Sequence, residues 1–225
     1  MAICVATMQP DRFGPPWEVW DNSQDNIGVV AAYQRLYERN TSDVLCYLHD
    51  DVALYEEDWL DRVLHEFEDP AVGVVGFGGA LRHGSEDLYK RPYRIEQLAR
   101  SGYRSNTKDA EAHGERFTGE CDVSVLDGFS LMVRRNLLVV AGGWPIHFLQ
   151  FHNYDLWLSC IAHRLGYRVR MVGVSCWHSG GATSTTPQYQ DWCISKYGKT
   201  DAQIHAEAHT YIYEEFMDVL PWRCV

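Results

Sequence analysis

The sequence lacks the features of membrane, secreted and nucleic-acid-binding proteins. Its longest apolar stretches have only the length of a strand, so no transmembrane segment is expected. Basic clusters are also missing: 20 Lys and Arg stand against 31 Asp and Glu, and the net charge of -11 argues against nucleic acid as a partner. No basic leader or hydrophobic signal region precedes the strand pattern at residues 1–5, which predicts a cytoplasmic protein.

Cysteine and glycine motifs for metals and dinucleotides are absent as well. None of the seven cysteines forms a Cys-x-x-Cys pair, and most lie inside apolar runs. This favours reduced thiols in the core over disulfides or a zinc site. The glycines at 76, 78 and 79 lack the GxGxxG spacing, and no helix pattern begins there. A dinucleotide site is therefore not expected.

Strand patterns alternate with helix patterns along the chain. Strands are predicted at 3–6, 17–20, 44–48, 72–77, 123–126, 129–133 and 167–177, and helices at 27–39, 60–67 and 158–165. This alternation predicts an α/β layer fold, which we expect to form one domain over residues 1–225. Residues 81–120 show no sustained periodicity and indicate an insertion or lid, whereas residues 187–225 indicate a helical tail.

The adjacent carboxylates Asp50 and Asp51 are the most informative motif. They follow the buried-strand pattern at 44–48 and precede a helix pattern. Ligands of open α/β sheets bind at the carboxyl ends of strands. Two carboxylates there suit a hard cation such as Mg2+ or Mn2+, which leaves other positions to a substrate's phosphates. Helix capping explains the pair equally well, because Asp is favoured at N-caps and in first turns.

The order of six motifs strongly resembles the family 2 glycosyltransferases of the GT-A fold, over nearly the whole chain. These motifs are DNSQDNIG, YLHDDV, VGVVGFGGA, LDGFSLMVRR, YDLWLSCIAHRLGYRV and CWHSGG. The resemblance implies a Rossmann-like mixed sheet flanked by helices. It also implies an inverting enzyme that depends on Mn2+ or Mg2+. Such an enzyme would move a sugar from a nucleotide-diphosphate donor, most commonly a UDP-sugar, to a hydroxyl group of a carbohydrate or other acceptor.

The resemblance also implies which residues bind the nucleotide and the metal. Asp21 would contact the nucleotide base, and Thr7 and Asn22 would line the same pocket. Asp50 would face the ribose or the phosphates, and Asp51 would bind the metal.

Two further positions would lie near the diphosphate and the donor sugar. His178 resembles the late histidine that completes the metal or diphosphate site, although a strand-end histidine bonded to the backbone is the alternative. Asp127 and Gly128 resemble the position that contacts the donor sugar, where a glycine allows close approach of the backbone. An ordinary Asp-Gly hairpin turn explains that pair equally well.

The segment before the late helix departs from the family pattern. It reads His152-Asn153-Tyr154-Asp155 where the family has Glu-Asp-x-Asp, so the usual base position holds Asn153. An amide cannot take a proton from an acceptor hydroxyl. Asp155, which helix capping would also explain, and His152, whose imidazole suits a base near neutral pH, are the candidate bases; Asp155 is slightly preferred.

Two other functions share these features. Loss of the expected base favours, as the alternative, a non-catalytic nucleotide-sugar or glycan-binding protein on the same fold. A nucleotidyltransferase would also join an α/β sheet to acidic metal ligands, but the sequence has no glycine-rich, basic phosphate loop. The short link at 9–16 leaves no room for the family's usual first helix, which leaves part of the base-binding wall without its counterpart.

Overall fold

A computed structural model describes residues 1–84, 99–108, 114–180 and 186–224. The strands in these ranges are β1 (Ala2–Thr7), β2 (Trp17–Asp21), β3 (Val44–Leu48), β4 (Val52–Leu54), β5 (Val72–Gly76), β6 (Gly78–His83), β7 (Arg100–Ser105), β8 (Glu115–Arg116), β9 (Glu120–Asp122), β10 (Val125–Leu126), β11 (Ser130–Arg134), β12 (Arg168–Val172), β13 (Cys176–His178) and β14 (Trp222–Arg223). The helices are α1 (Asn22–Asp25), α2 (Val29–Arg39), α3 (Trp59–Glu66), α4 (Arg135–Ala141), α5 (Tyr154–Arg164), α6 (Pro187–Tyr197) and α7 (Asp201–Glu215).

A central mixed sheet organises the fold, in the order β2-β1-β3-β11-β5-β12-β9. Strand β1 is parallel to β2 and β3, whereas β11 is antiparallel to β3 and β5. Alternate residues of β3 enter two different cores, Leu45 and Tyr47 on one face and Cys46 on the other. Helices α2, α4, α5 and α7 contribute to the first core and α3 to the second. The predicted α/β class is confirmed.

The link between β1 and β2 contains only a 3-10 turn at Pro10–Arg12, as its length predicts. The two strands are nevertheless parallel neighbours, with Thr7 paired to Asp21 at their carboxyl ends. The ends of both strands therefore open at the same edge of the sheet.

A second sheet has the order β10-β6-β7-β8, with β14 also paired to β6. The predicted insertion at 81–120 contributes β7 and β8 to it, while residues 85–98 and 109–113 lie outside the described residues. Its role as a lid stays a prediction. Because β10 pairs with β6 and β11 pairs with β3, the Asp127-Gly128 segment connects the two sheets. The hairpin alternative for this segment is wrong.

The strand predicted at 167–177 is two strands in different sheets. β12 pairs with β5, and β13 forms a two-stranded sheet with β4. Gly173 lies at the break, where its N–H donates to the Gly119 carbonyl oxygen at 2.8 Å. The Phe117 carbonyl lies so close that a Cβ at Gly173 would overlap it. This contact ends β12 and allows β13 to take another direction.

The C-terminal region begins with two capped helices and ends in β14. Thr186 accepts a hydrogen bond from the Tyr189 N–H at the start of α6, and Thr200 forms a capping box with Gln203 at the start of α7. No helix in the described ranges has both the length and the apolar sequence needed to cross a membrane.

We expect Gly173→Ala to lower the free energy of unfolding by about 2 kcal/mol or more, because the added methyl group has no room beside the Phe117 carbonyl. Gly14→Ala is the matched control: a Cβ there meets no atom within 4 Å, so a change of at most about 0.5 kcal/mol is expected. Urea denaturation measures both. Equal stability of the two variants would contradict the close contact at Gly173.

Candidate functional site

The acidic pair lies in a turn between two strands. Asp50 and Asp51 follow β3 and immediately precede β4. Helix α3 begins only at Trp59, with Asp58 at its N-cap. The capping alternative for the pair is therefore wrong.

Pairing of β4 with β13 brings the late histidine to this turn. His178 is the partner of Val52 in the antiparallel ladder. Its Nε2 lies 3.5 Å from Asp51 Oδ1, and the Gly180 N–H donates to Asp51 Oδ2 at 3.0 Å. The imidazole stacks on the Phe129 ring with centroids 4.8 Å apart. A residue 127 positions away in the sequence thus contacts the acidic turn.

His49 completes a cluster that the sequence analysis did not assign. Ligand atoms of His49, Asp51 and His178 all lie within 4.8 Å of one another. His49 Nδ1 is 3.4 Å from His178 Nε2, and two imidazole nitrogens at this distance need a proton or a cation between them. Two imidazoles and a carboxylate form a donor set for a divalent transition-metal ion. His49 and Asp51 flank Asp50 in the sequence, and this spacing is the signal that could have indicated the cluster.

The hydroxyl group of Tyr154 fixes the orientation of the His49 ring. His49 Nε2 lies 2.6 Å from Tyr154 Oη, which donates to the Gly128 carbonyl oxygen at 3.3 Å. When Nε2–H donates to Tyr154, Nδ1 keeps the lone pair that a metal requires. Burial lowers the pKa of His49 below its ordinary value, and the neighbouring His178 lowers it further. Both effects favour the neutral imidazole.

The position of the Tyr154 ring requires a glycine at residue 128. A Cβ at Gly128 would lie 2.5 Å from Tyr154 Oη and 2.8 Å from Cζ. The close approach that this glycine permits is therefore made by the Tyr154 ring. Contact of Gly128 with a sugar stays a prediction.

A cleft of about 410 Å³ opens beside the cluster. Five residues predicted to bind donor or metal line it together: Thr7, Asn22, Asp50, Asp51 and His178. Thr7 Oγ1 donates to Asp50 Oδ2 at 2.7 Å, which fixes one oxygen of that carboxylate.

Asn22 lines this cleft, whereas Asp21 does not, and both side chains are held by local hydrogen bonds. Asp21 Oδ1 accepts from the Ser23 N–H at 3.0 Å and caps α1. The Asn22 amide bonds to both the N–H and the carbonyl of Ile27, each at 2.9 Å. Contact of Asp21 with a nucleotide base stays a prediction.

A second cavity, of about 460 Å³, joins the cleft. The residues that line both spaces are His49, Phe151, His152 and Tyr154. Asp127, Gly128 and Asp155 line only the second cavity, and Asp127 Oδ2 accepts from Tyr103 Oη at 3.2 Å.

Asp155 is held inside the second cavity. Its Oδ1 accepts from the Leu156 N–H at 2.8 Å, and its Oδ2 lies 3.4 Å from Arg100. Burial raises the pKa of Asp155, and Arg100 opposes this effect.

His152 lies at the junction of the two spaces and has a carboxylate partner. Its Nε2 is 2.6 Å from Asp201 Oδ1, which also accepts from Tyr189 Oη at 2.9 Å. The neighbouring Asn153 has left-handed backbone, with φ of 58°, and its amide Nδ2 is 2.9 Å from His209 Nδ1. Sequence reasoning missed Asp201 and Tyr189, which come from the predicted helical tail.

The chain matches a glycosyltransferase-like family in sequence and resembles a solved glycosyltransferase structure in fold. The sequence model of a glycosyltransferase-like family matches residues 23–216. No curated protein matches the sequence. The structure of GalNAc-T7 with UDP, GalNAc and Mn2+ is similar with a TM-score of 0.51 and 12% identity, over 96% of this chain and 56% of that one. The chain thus spans little more than half of GalNAc-T7.

A mannosyltransferase, PcManGT from Pyrobaculum calidifontis, in complex with GDP-Man and Mn2+, is similar with a TM-score of 0.48 and 14% identity, over 94% of this chain and 68% of that one. The family match extends over most of the 225 residues, and the likeness to GalNAc-T7 concerns the fold. The predicted fold and enzyme class are confirmed: the chain belongs to the glycosyltransferase-like family, has the GT-A fold and is a glycosyltransferase.

Proposed function

We propose that the protein is a metal-dependent, inverting glycosyltransferase that uses a nucleotide-diphosphate sugar, with a UDP-sugar as the first donor to test. The convergence of His49, Asp51 and His178 beside a cleft lined by Thr7 and Asp50 carries this proposal. A diphosphate in the cleft would lie next to the ligand atoms of the cluster.

The donor set favours Mn2+ over Mg2+. Mg2+ is held in proteins by carboxylates, phosphates and water, and two imidazole nitrogens are poor ligands for it. His49 and His178 would supply nitrogen and Asp51 oxygen, which leaves further positions to the donor's phosphates. When bound, the metal would neutralise the negative charge that develops on the departing nucleoside diphosphate.

The rest of the cleft suits the nucleoside. Because Thr7 occupies Asp50 Oδ2, the other oxygen of Asp50 can accept from a ribose hydroxyl. Asp21 and Asn22 would lie toward the base, and Asp127 and Gly128 toward the sugar.

His152 is the base that the geometry supports best. It lines both the cleft and the second cavity, whereas Asp155 lines only the second cavity and is held by Arg100. With Nε2–H donated to Asp201, His152 Nδ1 keeps a lone pair. The acceptor oxygen would bond to the anomeric carbon while the bond from that carbon to the phosphate oxygen breaks. The electron pair of that bond goes to the diphosphate, and the acceptor proton goes to His152.

The non-catalytic alternative rests on Asn153 alone. A non-catalytic function would leave the His152–Asp201 pair, which lies between the cleft and the second cavity, without a role. Nucleoside diphosphate release in the assays below decides between the two.

We expect Asp51→Asn to weaken Mn2+-dependent UDP binding at least about tenfold, because a direct ligand loses its charge. Calorimetry with UDP or GDP, with Mn2+, Mg2+ or no metal, measures it, and Mn2+ should support tighter binding than Mg2+. Asp58→Asn makes the same change at an exposed position and should bind like the wild type. Metal-independent binding by the wild-type protein would refute metal dependence.

Tyr154→Phe should weaken Mn2+ binding about 10- to 100-fold, because His49 loses the oxygen that fixes its ring and tautomer. Tyr167→Phe is the control, since its hydroxyl lies on the surface, 3.4 Å from the Asn136 amide. Titration of each variant with Mn2+ alone reports the change. Equal affinity of the two variants would show that Tyr154 does not orient a ligand.

His152→Ala should reduce turnover about 100- to 10,000-fold, with nearly unchanged affinity for UDP and Mn2+, because the lost interaction belongs to the transition state. His147→Ala, at an exposed position, is the control. The assay follows nucleoside diphosphate release from a panel of UDP- and GDP-sugars. A large loss in Asp155→Asn with a mild effect of His152→Ala would assign the base to Asp155 instead.

A further inference from the structure

Helix α7 presents two histidines to the second cavity. Ile204, Ala208 and Ile212 of this helix are buried in the core. The positions that follow the first two, His205 and His209, lie one turn apart and line the cavity. Their rings have centroids 4.4 Å apart, and the His152 ring is 4.6 Å from that of His205. His205 and His209 thus form one side of the second cavity, here called the imidazole wall. This wall extends to His152, where the cavity meets the donor cleft.

The imidazoles of α7 are uncharged near neutral pH. Burial, and then the neighbouring His152 and His209, lower the pKa of His205 to about 4. Burial also lowers the pKa of His209 below its ordinary value. A neutral imidazole has one N–H donor and one acceptor nitrogen, and a sugar hydroxyl likewise donates and accepts. The wall is therefore suited to hydroxyl groups.

The charged groups of the cavity disfavour an anion. Arg100 lies 3.4 Å from Asp155, and Asp127, whose Oδ2 accepts from Tyr103 Oη, adds a second carboxylate. A phosphate or carboxylate that enters the cavity would be repelled by these two carboxylates, and the Arg100 guanidinium, which could attract it, already pairs with Asp155.

Phe151 adds an aromatic ring to the lining, against which the apolar face of a sugar ring can pack. The volume of about 460 Å³ lies within the range of roughly 300–1,000 Å³ typical of small-molecule sites.

We propose that the second cavity is the acceptor site, that it takes an uncharged sugar, and that His205 selects it by hydrogen bonds to its hydroxyl groups. This inference rests on the proposed function. A sugar in this cavity would direct a hydroxyl toward His152 at the junction. That hydroxyl oxygen would form the new glycosidic bond as the nucleoside diphosphate leaves with the electron pair, and its proton would pass to His152.

Binding to an array of immobilised glycans tests the inference, with UDP and Mn2+ present at saturating concentration. The array contains neutral glycans beside glycans with uronic acid, sulfate or phosphate groups. Wild-type protein should be retained by neutral glycans. His205→Ala should bind these about tenfold more weakly, because it loses hydrogen bonds to the sugar. His147→Ala is the matched control and should bind like the wild type. Calorimetry with UDP and Mn2+ and circular dichroism establish that each variant is folded.

Each other outcome overturns a defined part of the account. Preference for acidic glycans would overturn the uncharged class, and unchanged binding by His205→Ala would overturn the location. Retention by no glycan, in protein that binds UDP and Mn2+, would overturn the acceptor site but not the proposed function. Failure of the wild-type protein to bind a nucleoside diphosphate with Mn2+ would overturn the proposed function itself.

Discussion

The antiparallel pairing of β4 with β13 is the constraint on which the candidate site depends. Each strand has only three residues, and an isolated two-stranded ladder has little stability in water. Glu56 reinforces it, because one carboxylate oxygen accepts from the Ser175 N–H at 2.6 Å and the other pairs with Arg62 at 2.5 Å. Gly173 allows the chain to turn from β12 toward this ladder. Together these contacts hold His178 beside Asp51.

Tyr154 connects the hydrophobic core to the metal cluster. Its ring packs against those of Tyr33 and Trp144, with centroids 5.7 Å and 6.4 Å away, while its hydroxyl contacts His49. Tyr154 is the first residue of α5, and the next residue, Asp155, lines the second cavity. The start of one helix therefore supports the metal cluster on one side and shapes the proposed acceptor site on the other. We expect changes in this part of the core to alter both.

Local patterns were enough to predict much of the fold. The run at 44–48 is β3 to the residue, because a central strand buries every side chain. The other features could not be predicted, because they depend on contacts between residues that are distant in the sequence. The break at Gly173 depends on the carbonyl of Phe117, and the role of His49 depends on a strand more than a hundred residues away. His205 fits a helix pattern, but only the tertiary structure places that helix beside His152.

Pulsed electron paramagnetic resonance on Mn2+-loaded protein labelled with 15N-histidine tests the central claim most directly, since it detects nitrogen atoms bound to the metal. We expect coupling to two histidine nitrogens in the wild-type protein and to one in His178→Ala. Wild-type protein that binds Mn2+ without any histidine nitrogen would contradict the cluster of His49, Asp51 and His178 as the metal site.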